Sequence, residues 1–117
     1  MTVDTLQMIV LPCADLAAAL RFYRDALSLP VVGNDERMAI VRAGLMEIVL
    51  EAAAPPANVA SGSAGIELVF KARDLAAAAQ RLRAHGLQPA EETSALGTTI
   101  ALHDPDGRSV HLVERPL

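Results

Sequence analysis

The feature that most constrains the fold of this chain is an internal repeat. Asp15-Leu16-Ala17-Ala18-Ala19-Leu20 reappears as Asp74-Leu75-Ala76-Ala77-Ala78-Ala79, 59 residues later in a chain of 117 residues. Each copy follows a short apolar run of strand length, at 6–11 and at 66–70, and is itself followed by apolar residues at helical spacing. A repeat of about half the chain predicts two copies of one structural unit within a single domain.

Each copy of the repeat carries its own helix signals. Asp15 and Asp74 stand where a helix is predicted to begin, and an aspartate there can accept a hydrogen bond from a free backbone N–H of the first turn. The first helix is predicted to continue to Leu27, and the second to end at Gly86. The aromatic pair Phe22-Tyr23 has helical spacing with the apolar face and is predicted to pack in the core.

Strands are predicted after each helix. In the first half, 38–41 and 46–50 are joined by a turn at Ala43-Gly44; in the second, 98–102 and 109–113 are joined by Asp104-Pro105-Asp106-Gly107. Weaker strands are predicted near 29–32 and 87–90, and 55–64 has the composition of a linker. The chain is therefore predicted to be α+β, with one βαβββ module at about 1–54 and a second at about 65–117.

Charge and composition exclude several kinds of partner. The net charge is −4, and the ten Lys and Arg residues are scattered as on an ordinary solvated surface, so we expect no nucleic-acid partner. No apolar run approaches the roughly 18 residues of a membrane span, and no signal segment is visible, so we expect no membrane partner and a cytoplasmic location. The single cysteine, Cys13, excludes an internal disulfide and is predicted to be a small buried residue.

Two segments resemble a known family. Asp15-Leu16 followed by Phe22-Tyr23-Arg24-Asp25-Ala26-Leu27 resembles the first-module helix of glyoxalase and bleomycin-resistance proteins, which belong to the vicinal oxygen chelate superfamily. Asp104-Pro105-Asp106-Gly107 followed by Ser109-Val110-His111-Leu112 resembles the last hairpin of that family. The resemblance covers nearly the whole chain in the right order. It implies curved mixed sheets around a shared cleft that binds a small molecule, and a homodimer.

The resemblance also implies a site. Enzymes of this family hold a metal with residues on the first and last strands of each module. Counted from the aspartate at each helix start, the first-strand positions are Met8 and Glu67, and the last-strand positions are Glu47 and His111. Glu47, Glu67 and His111 are expected at homologous places, and a charged residue with apolar strand neighbours is expected to point somewhere particular. All four side chains are predicted to converge on the cleft, with Met8 lining it.

The identities at these positions depart from the family pattern, which has His on the first strands and Glu on the final one. Here Glu67 stands where His is usual, and His111 where Glu is usual. Glu47, Glu67 and His111 still form a set of one His and two carboxylates, which suits one divalent metal ion such as Mn, Fe, Ni or Zn. A thioether is a poor ligand for these ions, so Met8 limits the set to three protein ligands. Without metal, hydrogen bonds and water would satisfy the same groups.

Three functions follow from these alternatives, and the sequence does not choose among them. The first is a metal-dependent lyase, isomerase or dioxygenase acting on a substrate with two neighbouring oxygens, with Glu67 or Glu47 as the catalytic base. The second is a metal-free protein that binds and sequesters a drug or metabolite. The third is a structural or regulatory dimer. An aromatic content of 3% weakens the version of the second hypothesis in which planar ligands stack on aromatic rings.

Overall fold

The computed structural model of the protein describes residues 3–54, 66–95 and 97–114. The chain divides into two compact units near residue 55. The predicted linker at 55–64 lies outside the described residues, and the module boundaries that it defines remain a prediction. No helix in the described part of the chain has the length and hydropathy needed to cross a membrane.

Unit one contains one helical segment and one sheet. Its elements are β1 (Met8–Cys13), α1 (Leu16–Leu20) continued by a π-helical segment (Arg21–Ala26), β2 (Val31–Asn34), β3 (Met38–Ala43) and β4 (Met46–Ala52). The strands form a four-stranded sheet in the order β1-β4-β3-β2. β1 runs parallel to β4, and the other neighbouring strands are antiparallel.

Unit two repeats this plan. Its elements are β5 (Leu68–Lys71), α2 (Leu75–Ala84), β6 (Ala90–Ser94), β7 (Gly97–His103) and β8 (Ser109–Val113). They form a second four-stranded sheet in the order β5-β8-β7-β6, again with one parallel pair, β5 and β8. The predicted α+β class and the βαβββ repeat are therefore confirmed.

Both helices begin as predicted. The Asp15 Oδ1 accepts a hydrogen bond from the Ala18 N–H, and the Asp74 Oδ1 accepts one from the Ala77 N–H, each at 3.1 Å. In unit two, the Glu114 Oε2 also accepts a hydrogen bond from the Leu75 N–H at 2.8 Å. The start of α2 therefore has two carboxylates, that of Asp74 next to the helix and that of Glu114 after β8. Both negative charges interact favourably with the positive end of the helix dipole.

Both helices end where predicted, but the helical segment of unit one is one residue longer than that of unit two. The Leu27 N–H donates to the Phe22 carbonyl at 2.9 Å, five residues back, so the first helix widens into a π-helical turn. Ser28 then adopts a positive φ of 61°, as Gly86 does at 81° after α2. These two residues are 58 apart, whereas the helix starts are 59 apart. The inserted residue in unit one accounts for that difference.

The strands next to the hairpins are confirmed, but the two weaker strands begin later than predicted. β2 starts at Val31, directly after Pro30, and β6 starts at Ala90, directly after Pro89. Proline has no N–H to donate to a neighbouring strand, so the regular ladder starts only after it. The apolar residues before each proline therefore belong to the connection from the helix.

The core of unit one lies between its helical segment and one face of its sheet. The buried residues of the helix include Phe22, at 4% exposure, and Tyr23, at 0%, which confirms that the aromatic pair packs in the core. Their rings meet edge to face, with centroids 4.9 Å apart. Cys13 is also buried, as predicted, and its Sγ donates to the Leu11 carbonyl at 3.3 Å. The sheet contributes buried Leu11, Ala39, Val41, Ile48 and Leu50.

The opposite face of each sheet carries no helix of its own unit. Strand side chains alternate between the two faces of a sheet. In unit one, Leu11 and Ile48 point to the core face, and Met8, Val10 and Glu47 therefore point to the other face. In unit two the core face holds Leu68, Ile100, Leu102, Val110 and Leu112, together with Ala79 and Leu82 of α2. We use the term helix-free face for the face of each sheet that points away from the core of its own unit.

The turn of the second hairpin corrects one prediction. Arg108 does not lie on a solvated surface, because its side chain is only 4% exposed and its Nη1 lies 3.0 Å from the Asp104 Oδ2 and 3.6 Å from the Asp106 Oδ2. The Asp104 Oδ1 also accepts from the backbone N–H groups of Asp106 and Arg108, at 2.9 Å each. A carboxylate buried as deeply as Asp104 requires a counter-charge, and Arg108 supplies it.

Candidate functional site

Unit one brings two of the predicted site residues together. Met8 and Glu47 are direct neighbours in the parallel pairing of β1 with β4, on the helix-free face. On its other side, Glu47 stands opposite Arg42 of β3, and the Arg42 Nη2 lies 3.1 Å from the Glu47 Oε2. The Glu47 side chain is 22% exposed and that of Arg42 is 52% exposed. Glu47 is therefore already paired with a cation.

Unit two brings the other two together. Glu67 directly precedes β5, and His111 lies in β8 beside Val69. The His111 Nε2 lies 2.9 Å from the Glu67 Oε1; the His111 side chain is 23% exposed and that of Glu67 is 63% exposed. This contact places a donated hydrogen on Nε2, which leaves the Nδ1 of a neutral His111 as an acceptor. His111 and Glu67 thus form a hydrogen-bonded pair with one accessible carboxylate.

The strand register corrects the expectation that the charged residues occupy homologous places. Val10 pairs with Val49, and Val69, which is 59 residues after Val10, pairs with His111. His111 therefore corresponds to Val49, two residues beyond Glu47. The side-chain period of a strand is two, so both residues still lie on the helix-free faces of their sheets. The connections inside the two units differ in length, so spacing alone could not determine this register.

Exposed apolar side chains surround these polar pairs. Met8 is 40% exposed and Val10 52% exposed on the helix-free face of unit one, and Val69 is 52% exposed on that of unit two. The prediction included Met8 but missed Val10, Val69 and the contact of Arg42 with Glu47. The two valines could have been found by counting two residues onward from Met8 and Glu67, because alternate residues share a face. Convergence of the two pairs on one cavity remains a prediction.

The donor set does not fit the metal that the family resemblance implies. Of the predicted positions, unit one offers one carboxylate, Glu47, beside the thioether of Met8, and unit two offers Glu67 and His111. Among residues 3–54, 66–95 and 97–114, no three His, Cys, Asp or Glu side chains are grouped so that they could hold a metal ion. The oxygens of Glu47 and Glu67 also already contact Arg42 and His111. No chemical step through a metal therefore follows from these residues.

Two βαβββ units with polar pairs on their helix-free faces are consistent with the vicinal oxygen chelate superfamily. The chain belongs to the glyoxalase-like domain family, whose sequence profile matches residues 8–113. That match runs from the first residue of β1 to the last residue of β8, so it covers both units. No curated protein matches the chain in sequence.

Solved structures of the same fold include an enzyme and two binding proteins. A lactoylglutathione lyase from Agrobacterium tumefaciens is 21% identical with a TM-score of 0.71, and the match covers 95% of this chain and 93% of the lyase. TnmS3, an antibiotic binding protein from Streptomyces sp. CB03234, is 22% identical with a TM-score of 0.77, covering 97% of each chain. A bleomycin-binding protein in complex with bleomycin is 23% identical with a TM-score of 0.69, covering 97% of this chain and 100% of the other.

Proposed function

We propose that the protein binds a small organic molecule on the helix-free faces of its sheets without requiring a metal ion. The observation that carries this proposal is the pairing of the candidate metal ligands: the Glu67 Oε1 lies 2.9 Å from the His111 Nε2, and the Glu47 Oε2 lies 3.1 Å from the Arg42 Nη2. Paired charges beside exposed apolar side chains suit an organic ligand that buries apolar surface and exchanges hydrogen bonds at a few points.

The apolar side chains supply the stabilising part of such an interaction. Covering Met8, Val10 or Val69 removes apolar surface from water, which contributes about 25 cal/mol for each square ångström covered. Glu67, at 63% exposure, can accept a hydrogen bond from a ligand while it keeps its contact with His111. The similarity in fold to TnmS3 and to the bleomycin-binding protein supports this proposal.

A thermal-unfolding titration with metal-free bleomycin and a panel of other antibiotics, in the presence of EDTA, tests the proposal. A ligand at about 100 times its Kd stabilises the folded state by about 2.7 kcal/mol, so binding raises the Tm measurably. We expect at least one compound to raise the Tm equally with and without EDTA, and Val69→Asp to abolish the rise. Leu45→Asp, at a fully exposed leucine in the turn between β3 and β4, serves as the control. A rise that needs added divalent ions would contradict the proposal.

A second function, a metal-dependent lyase, isomerase or dioxygenase, is favoured by one observation. Glu67 and His111 are two metal-ligand types already side by side, and Glu67 or Glu47 would then serve as the base that moves the substrate proton. The similarity in fold to the lactoylglutathione lyase supports it. Elemental analysis of protein purified without chelator distinguishes the two functions. Stoichiometric Mn, Fe, Ni or Zn that is lost in Glu47→Ala and His111→Ala would establish this second function and overturn the metal-free one.

We also propose a homodimer in the cytoplasm, on the grounds of the family and the strand order. β1 and β5 are each the last strand of their own sheet and carry exposed valines, and such edges are commonly covered by a partner. Sedimentation equilibrium gives the mass directly. A particle of twice 12.3 kDa is expected, and one of 12.3 kDa across the micromolar range would contradict the dimer.

A further inference from the structure

Unit two contains a groove outside the proposed ligand face. It lies between α2 and the strands β6 and β7, on the core side of the sheet, and has a volume of about 430 Å³. Its apolar lining comes from Leu75 and Ala79 of the helix, and from Pro89 and Ile100 of the sheet side. Sites for small molecules commonly have volumes of about 300–1,000 Å³, so this groove is large enough for one.

The internal repeat shows which residues of unit one are replaced by smaller or polar ones beside the groove of unit two. Ala79 occupies the position that Leu20 has in unit one, and Arg81 the position of Phe22, each 59 residues later. Phe22 is buried against its sheet, whereas Arg81 is exposed. Unit two thus lacks two large apolar side chains next to its helix. The smaller or more polar residues at these two positions leave the space beside α2 open to solvent in unit two.

Two opposite charges stand on different walls of the groove. Arg83 projects from α2, and Glu91 belongs to β6. Within the described residues, neither side chain takes part in an ion pair: the pairs there join Arg24 with Asp25, Arg42 with Glu47, Arg108 with Asp104 and Asp106, and His111 with Glu67. The groove therefore presents one accessible cation and one accessible anion on different walls of a lining that is partly apolar and partly polar.

We propose that this groove binds a small zwitterion with an apolar body, of the size of an apolar dipeptide. Its carboxylate would pair with Arg83, whose guanidinium can contact both carboxylate oxygens, and its ammonium group would pair with Glu91. Its apolar side chains would cover Leu75, Ala79 and Ile100. The charge arrangement selects a zwitterion over a simple anion or cation, since either of those would leave one wall charge without a partner.

Isothermal titration calorimetry with three matched peptides tests the charge arrangement. The peptides are L-leucyl-L-leucine, its N-acetyl form, which lacks the ammonium group, and its C-terminal amide, which lacks the carboxylate. We expect the free dipeptide to bind about fivefold more tightly than either blocked form, as the loss of one exposed ion pair of about 1 kcal/mol predicts. Equal affinities for the three peptides, or no binding of any at millimolar concentration, would overturn the proposal.

Variants locate the binding. Ala79→Leu restores the residue of unit one and is expected to weaken all three peptides about tenfold or more, while Arg83→Gln is expected to weaken only the two peptides that carry a carboxylate. Arg24→Gln, at the matching position of unit one, is the control and should leave binding unchanged. Circular dichroism verifies that each variant is folded; Arg83 is exposed, so Arg83→Gln tests the site even if Ala79→Leu does not fold.

A further variant separates this groove from the proposed helix-free face. His111→Ala should leave dipeptide binding unchanged, because His111 lies on the other face of the sheet from Ile100. Loss of dipeptide binding in His111→Ala would place the peptide on the helix-free face and overturn the groove assignment. The groove proposal does not depend on whether an antibiotic or a metal binds elsewhere.

Discussion

The two units share one topology but stabilise their helices in different ways. In unit one, Phe22 and Tyr23 lie between the helical segment and the sheet, and a π-helical turn follows them. In unit two, the residues of α2 that are buried are Ala79 and Leu82, and a groove opens beside them. Unit two has other supports: a second carboxylate at the helix start and a buried ion pair in its hairpin turn. The same repeat can thus be stabilised by apolar packing or by polar contacts.

The largest expected effect tests whether apolar packing stabilises the helix of unit one more than that of unit two. Phe22→Ala removes a ring that is 4% exposed and should lower the free energy of unfolding by about 3–5 kcal/mol. Arg81→Ala, at the matching exposed position of unit two, should lower it by less than about 1 kcal/mol. Urea denaturation followed by circular dichroism measures both. Similar losses for the two variants would mean that the units do not differ in packing.

The second prediction tests whether polar contacts stabilise unit two, at the turn between β7 and β8. Arg108→Ala removes the guanidinium that lies 3.0 Å from the fully buried Asp104 carboxylate and should cost about 3 kcal/mol, the lower end for a broken buried pair, because the end of a hairpin can relax. The matched control is Arg42→Ala, which removes the half-exposed partner of Glu47 and should cost between about 0 and 1 kcal/mol. The same denaturation experiment applies. A cost below about 1 kcal/mol for Arg108→Ala would mean that the buried pair of Arg108 and Asp104 does not stabilise unit two.

The helix starts should show a smaller difference. Asp15→Ala and Asp74→Ala each remove one hydrogen bond to the first turn and should cost about 1 kcal/mol. Glu114→Gln keeps an acceptor for the Leu75 N–H but removes a charge near the helix start, so a cost of about 0.5 kcal/mol is expected. High salt should reduce the Glu114 effect and leave most of the two aspartate effects. A cost for Glu114→Gln that does not change with salt would exclude the dipole contribution.

The helix ends should show effects as small as those at the helix starts, but with opposite signs in the two units. Ser28 adopts a positive φ of 61°, so Ser28→Gly relieves backbone strain and should stabilise the protein by about 0.5 kcal/mol. Gly86→Ala should destabilise it by about 1 kcal/mol through the positive φ alone, since a Cβ at that position meets no atom within 4 Å. Thermal unfolding of the two variants shows whether the signs differ. Stability changes of the same sign in both variants would contradict the view that Ser28 and Gly86 occupy equivalent positions after the two helices.

Most of the fold could be predicted because its signals are local. The aspartates at 15 and 74, the apolar runs and the Asp-Pro-Asp-Gly turn each act within a few residues, and each is found in its predicted element. The inserted residue in unit one was missed, although Ala26-Leu27-Ser28-Leu29 and Ala84-His85-Gly86-Leu87 are 58 residues apart and show it. The burial of Arg108 was missed because the composition of a turn does not indicate how deeply it lies.

The candidate site could be predicted only in part. Glu47 and His111 lie on the helix-free faces of their sheets, and the face of a strand residue depends only on odd or even spacing, but their convergence on one cleft remains a prediction. The register between β5 and β8 depends on the lengths of all the segments between them, so the expected equivalence of Glu47 and His111 was wrong. The contact of Arg42 with Glu47 arises from pairing across the β3–β4 hairpin, and the sequence reasoning had treated the scattered arginines as solvated surface.

The contact of Glu114 with the Leu75 N–H bears on the order in which the two units can fold during synthesis. Unit one has its inner strand β4 complete by residue 52, so its sheet can assemble early in synthesis. Unit two must wait, because β8 separates β5 from β7 and the second carboxylate at the start of α2 follows β8 directly. We therefore expect the sheet of unit two to become complete only after β8 has left the ribosome, later than the sheet of unit one.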